Sequence, residues 1–387
     1  MRYRDSIFGQ LLKPVCRHRF QKSVERHGAN AYDKSFGSFA HLVALIYAQL
    51  SGARSLRALE TSWNANAHHH YHLGAGPIAR STLADANARR PVAVFADTFC
   101  ELSGFAGRML RQEGKAVVRL LDATPIPLPE IIGWAEWNGR TRGLKLHLMY
   151  APVQDRPTRF AITPATVNDV AFGRTVPVQP GAFYVFDKAY CDYGWWKNID
   201  DMKAFFVTRA KTNARYKTLR KRPLKRKNGV GFTVLCDKEV VLTTQGRYKL
   251  PITLRHITVR REDGGKLTVI SNDLVHSAVR IAAMYKARWQ IELLFRWIKQ
   301  HLVLRTFLGR SENAIRLQIV AAMIAYLLLR IAARQSRRAM PAIRFAELVT
   351  ACLFVRKPLP DIDKPPPVNP SKPRPRVLSG QMELSYA

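Results

Sequence analysis

YKARWQIELLFRWIKQ, residues 285–300, is the stretch from which the fold is best read. Ile281, Met284, Ile291, Phe295, Ile298 and Leu302 keep helical spacing through it, so a long helix is expected over about 277–302. Beside that apolar face, Tyr285, Arg288, Glu292 and Lys299 follow one another at intervals of 3, 4 and 7 residues. At about 100° per residue these four share a stripe roughly 60° wide, bordering the core rather than facing open water. Arg288 and Glu292 alone would make an ordinary i,i+4 ion pair on a solvated face. A tyrosine and two bases around one acid also suit a phosphate-binding wall beside a metal ligand.

Two further acids stand in similar company. Asp122 ends a strand-like run in LLDATPIPL (120–128), and Asp187 ends another in FYVFDKAYCDY (183–193). A carboxylate at the end of a buried strand is desolvated by its apolar neighbours and needs a cation or a good hydrogen-bond partner to stay charged. Taken singly, each of the three acids has a turn residue or helix cap as its bland alternative.

Around these acids the chain changes texture. Helical patterns occupy 38–50, a stretch opened by Ser55, and another from Ser81 to about Arg90, which together define a helical N-terminal region over about 1–95. Short strand-like runs follow at 117–121, 144–150, 160–167, 183–186 and 204–208, with a helix at 195–202, giving a mixed α/β segment. Residues 209–227 hold ten Lys or Arg and no acid. Residues 231–270 are again β-rich, with a turn expected at Asp263-Gly264-Gly265. Helix extends beyond 302 to about 356, and eight prolines between 358 and 375 mark an extended tail over 357–387.

Composition sets the outer limits. The 387 residues carry 62 Lys or Arg against 28 Asp or Glu, a formal charge of +34, so a polyanion is the expected partner, nucleic acid before an anionic membrane surface. The longest apolar run, Ile319 to Leu329, is 11 residues and reads as a buried helix rather than a membrane span. No signal peptide is read at the N-terminus, and five scattered cysteines without a CxxC pair fit reduced thiols in a cytoplasmic protein. His68, His69, His70 and His72 lack the partners of a metal site, and Gly74-Ala75-Gly76 lacks the preceding strand of a dinucleotide loop.

The spacing Tyr285-x2-Arg288-x3-Glu292-x6-Lys299 resembles the signature of the insertion-sequence-four family of bacterial cut-and-paste DDE transposases, the group that includes the Tn5 transposase. LLDATPIPL is similar to that family's first-Asp strand and FDKAYCDYGWW to its second-Asp segment, while Phe206 to Lys211 resembles the basic strand that follows. The resemblance covers about 115–305. It implies an RNase H-like catalytic core interrupted by a β-rich basic insertion at about 210–272, with C-terminal helices over 306–356. It further implies that Asp122, Asp187 and Glu292 hold two divalent metal ions, Mg²⁺ or Mn²⁺. Tyr285, Arg288, Lys299, Arg209 and Lys211 would contact DNA, and region 1–95 would bind the element's ends. The implied partners are transposon-end and target double-stranded DNA, and a second copy of the chain as a homodimer in the synaptic complex.

The rival readings are a catalytically inactive DNA-binding relative and an RNase H-like nuclease. Relatives that cut through a DNA hairpin hold a flipped base with an aromatic of the insertion, a tryptophan in the Tn5-like case. No Trp lies between Trp196 and Trp289, so Tyr216, Phe232 or Tyr248 is expected to supply the platform.

Overall fold

In the computed structural model, which describes residues 5–31, 35–110, 115–224, 228–243, 250–304, 306–336 and 340–364, Leu120 and Leu121 are both fully buried. Adjacent strand residues point to opposite faces, so two neighbouring buried leucines mean a sheet covered on both sides. Their strand is β1 (Val118–Pro127). It pairs antiparallel with β2 (Gly143–Ala151), which pairs antiparallel with β3 (Arg156–Pro164). On its other edge β1 runs parallel to β4 (Phe183–Val185), and β4 parallel to β5 (Phe205–Arg209). The order β3-β2-β1-β4-β5, with the first three antiparallel and β1, β4 and β5 parallel, is that of an RNase H-like core.

The sheet does not stop at β5. β6 (Tyr216–Lys221), β7 (Asn228–Gly229), β8 (Phe232–Leu242), β9 (Leu254–Arg261) and β10 (Lys266–Ser271) extend it in the order β5-β10-β9-β8-β6, with β7 beside β8. The β9–β10 hairpin turns at Asp263-Gly264-Gly265, where Gly264 has φ +81°. Under β8 and β9 lies a buried ion pair, Arg255 Nη2 to Asp237 Oδ2 at 2.5 Å.

Alternate residues sort into two cores. Leu120, Val185, Val207 and Val269 join one with the helices Val92–Met109, Ala278–Ala287, Trp289–His301 and Glu312–Gln335. Leu121, Tyr184, Phe186, Phe206 and Ile270 join the other under the helices Asp169–Thr175 and Tyr193–Asp201, through Phe172, Trp195, Trp196 and Ile199. Gly143 opens β2 with φ +146°, and a Cβ there would lie 2.2 Å from the Ile126 carbonyl oxygen, so only glycine fits that approach.

Three expectations are revised. The boundary read at 95 falls inside the helix Val92–Met109, and Glu312–Gln335 packs along both that helix and Ser38–Ser51. Every residue from Leu317 to Leu329 is buried; a helix apolar on all sides must be covered on all sides, so the N-terminal and C-terminal helices share one core. The helix expected unbroken over 277–302 is instead two, joined at Arg288 by a tightened turn. There Arg288 N–H donates to the Tyr285 carbonyl and Ile291 N–H to that of Arg288, both at 3.1 Å. The tail expected from 357 begins with packed chain: Leu359 and Ile362 are buried, and Gln10 Nε2 donates to the Lys357 carbonyl at 2.7 Å. Residues 365–387 lie outside the described ones.

Candidate active site

The parallel register sets two acids level. Leu120 pairs with Val185, so Asp122 and Asp187 each stand two residues farther along neighbouring strands. Val185 pairs with Val207, which brings Arg209 to the same level on β5. Asp122 lies within β1, and its Oδ1 accepts from Ala123 N–H at 2.9 Å. Asp187 follows β4 and caps the short turn 188–190, its Oδ1 accepting from Ala189 N–H at 2.7 Å.

Glu292 reaches the pair through Arg288. Arg288 Nη1 donates to Asp122 Oδ2 at 3.0 Å, and Nη2 pairs with Glu292 Oε1 at 2.6 Å. The guanidinium also lies 5.8 Å from the centre of the Tyr285 ring. At the far end of the stripe, Lys299 Nζ donates to Thr124 Oγ1 at 2.7 Å and to the Pro125 carbonyl at 2.8 Å. The stripe therefore packs on β1, where Asp122 and Thr124 share a face. Lys211 interacts with Cys191, on the segment that follows Asp187.

Burial dominates the electrostatics of the acids. Burial, with Asp187 and Glu292 adding to it, pushes the Asp122 carboxyl up to about 6 against the pull of Arg288. Burial also raises Asp187, with Asp169 adding to the shift. Burial pulls Arg288 down, but Asp122, Tyr285 and Glu292 together hold it above its ordinary value. Three carboxylates are hard oxygen donors of the kind that suit Mg²⁺ or Mn²⁺, and a bound cation would favour their charged forms against the burial that lifts Asp122. Among the described residues no three His, Cys, Asp or Glu side chains converge closely enough to hold one ion, and the Arg288 fork lies between Asp122 and Glu292.

Other singled-out residues serve packing. His70 stacks on Trp63 with ring centres 4.1 Å apart, and His69 stacks on Phe354. In the basic run, Arg220 and Arg222 both pair with Glu239, so their charge is partly spent inside the insertion, and 225–227 lie outside the described residues. Of the three expected aromatic platforms, Phe232 is only 7% exposed, so its ring would have to leave the core to meet a base. Tyr216 sets its ring against His256 at 5.5 Å, and Tyr248 lies outside the described residues. One aromatic that the sequence reading passed over, Trp289, is 51% exposed and adjoins Arg288. It lines a cavity of about 410 Å³ with Phe232, Tyr285, Lys286 and Arg288. Only its position next to Arg288 in the stripe could have signalled it.

Comparison with known proteins gives the family. Residues 113–328 match the family model described as a transposase DDE domain, and residues 3–76 match a domain family of unknown function. The y4zB protein of Sinorhizobium fredii, named as a transposase, is 57% identical over 304 residues, covering 79% of this chain and 85% of that one. A protein of Geobacillus stearothermophilus named as a transposase for the insertion sequence element IS5377 is 32% identical over 216 residues, 55% of this chain and 56% of its own. Another from Synechocystis, named for the element IS4SA, is 26% identical over 261 residues, 65% and 71% of the two chains. The piggyBac transposase synaptic complex with hairpin DNA aligns over 94% of this chain and 81% of its own, with a TM-score of 0.42 and 9% identity. The chain belongs to the bacterial DDE transposases, enzymes that cleave and transpose DNA with the help of divalent metal.

Proposed function

We propose that the protein is a cut-and-paste transposase whose metal ligands are Asp122, Asp187 and Glu292. It would bind the terminal inverted repeats of its element, cleave them and join the freed 3′ ends to target DNA. The observation that carries this reading is that one arginine, Arg288, ties Asp122 on β1 to Glu292 on the helix while Asp187 stands level on the adjacent parallel strand. Two Mg²⁺ or Mn²⁺ ions held by these acids would polarise the scissile phosphodiester and activate the attacking oxygen.

The chain's own residues do the rest. Tyr285, Arg288 and Lys299 form the wall that orients the phosphate, and Arg209 and Lys211, near the end of β5, grip the adjoining backbone. Positioning of this kind converts an encounter into an aligned reaction, which is why removing one phosphate-gripping side chain lowers turnover more than affinity. We assign the helices of 1–95 to end binding, the strands of 210–272 to DNA contact beside the core, and residues 306–356 to buttressing it. The working form is a homodimer synapsing two ends in the cytoplasm, on the nucleoid. The test is strand nicking of a terminal-repeat duplex in Mg²⁺: Asp187→Ala protein that binds the duplex yet nicks at the wild-type rate would overturn the assignment.

A further inference from the structure

Arg288 has two tasks that compete for its Nη donors. Its fork now spends Nη1 on Asp122 and Nη2 on Glu292, at 3.0 and 2.6 Å. A phosphate gripped through the same Nη donors would compete with the two carboxylates for them. The bridge is also incomplete. Arg288 Nε is buried and makes no hydrogen bond among the described residues, and an unsatisfied buried N–H is costly. A rearranged guanidinium can recover that bond on a new acceptor.

We infer that Arg288 is a latch: without DNA it bridges Asp122 and Glu292 and keeps a divalent cation from them, and a phosphate of the bound strand draws it off so that both acids turn to metal. The inference rests on the reading of the three acids as metal ligands. It assigns the chain a safeguard, in which metal loading and hence cutting wait for DNA. Coupling runs both ways, so metal loading in turn tightens the grip on phosphate.

The test is Mn²⁺ binding to the full-length protein by electron paramagnetic resonance, above neutral pH, with no turnover required. Without DNA, Arg288→Ala should bind Mn²⁺ more tightly than wild type by about 5–150-fold, the usual span of such couplings. Arg288→Lys keeps the charge but loses the two-pronged bridge, and should fall between the two. A Lys variant equal to wild type beside a tighter Ala variant would mean charge repulsion alone and would overturn the latch; so would an Ala variant equal to wild type. Should Arg288→Ala fail to fold, the wild type still decides: a duplex of the element's terminal repeat must tighten Mn²⁺ at least about fivefold. It must do so by a smaller factor in Arg288→Lys. Asp122→Asn separates the two layers. If it binds Mn²⁺ as wild type does, the three-acid site falls and the latch with it. If it abolishes binding while Arg288 variants change nothing, only the latch falls.

Discussion

Arg288 and Asp122 meet at 3.0 Å although 166 residues separate them in the chain. The contact pins the start of the helix Trp289–His301 to the middle of β1, and Lys299 pins its other end to Thr124 and Pro125 on the same strand. A helix held at both ends carries Glu292 to the strand ends without a loop to position it. Rigid placement of this kind is what a constellation of reacting groups requires.

Replacing Asp122, Asp187 or Glu292 by Ala should therefore remove nicking while leaving affinity for end DNA within a few fold. Affinity comes largely from Lys and Arg, whereas on the proposed reading each acid would supply a metal ligand. A drop of about 10³-fold, or about 4 kcal/mol in the barrier, is expected for each variant. Gel-shift and nicking assays on the same preparations check both halves of the statement.

Sequence made the acids legible because each sits in a local apolar run whose period could be counted. The Arg288–Glu292 half of the bridge was legible too, being an i,i+4 pair. Its Asp122 half was not, because tertiary packing alone brings residues 122 and 288 together. The helix Val92–Met109 escaped notice since Thr98, Ser103, Gly104 and Gly107 interrupt its apolar face, although Thr98 and Ser103 are buried with it. The helices Ile7–Leu12 and Arg17–Arg26 escaped for a related reason. The second is so polar that only Phe20, Ser23 and Val24 reach the core.

Acid should destabilise the helical layer through His41. This imidazole is fully buried and 2.8 Å from Asn87 Oδ1. Burial first, then Arg90, lowers its pKa from 6.5 to about 3. The unfolded chain then binds a proton below about pH 6.5 that the folded chain refuses until about pH 3. Stability is accordingly lost as pH falls through that window and is fully present above it. At 1.36 kcal/mol per unit the loss is a few kcal/mol, about 3–5. Urea titrations at several pH values should show this slope, and His41→Gln should flatten it; an unchanged slope in the variant would assign it to other groups.

Salt dependence should divide the basic run. Lys217 and Lys221 are exposed on β6, so Lys217→Gln and Lys221→Gln should each lower the slope of log K against log salt by about 0.9 for every phosphate that the lysine neutralises. Arg222 instead holds Glu239 at 2.7 Å and the Leu274 carbonyl at 2.9 Å. Arg222→Gln should then lower stability more than it changes the slope. Slopes unchanged from wild type in Lys217→Gln and Lys221→Gln would remove β6 from the DNA interface.

Trp289 is a half-exposed aromatic beside Arg288, placed to meet an unstacked base. In a hairpin route the freed 3′-hydroxyl attacks the opposite strand, and the tight turn extrudes a terminal base at a cost of a few kcal/mol. Stacking on an aromatic ring offsets about 1–3 kcal/mol of that. Phe232 is committed to the core, whereas Trp289 stands half exposed beside Arg288. The guanidinium of Arg296 lies 5.8 Å from the centre of its ring. Trp289→Ala should deplete hairpin ends on denaturing gels of precleaved DNA by about tenfold, the equivalent of about 1.4 kcal/mol, while first-strand nicking persists. Phe232→Ala should lower thermal stability and slow both steps together. If wild-type protein nicks its ends yet never forms a hairpin, the second strand is cut by water, and Trp289 stacks on nothing that matters to the reaction.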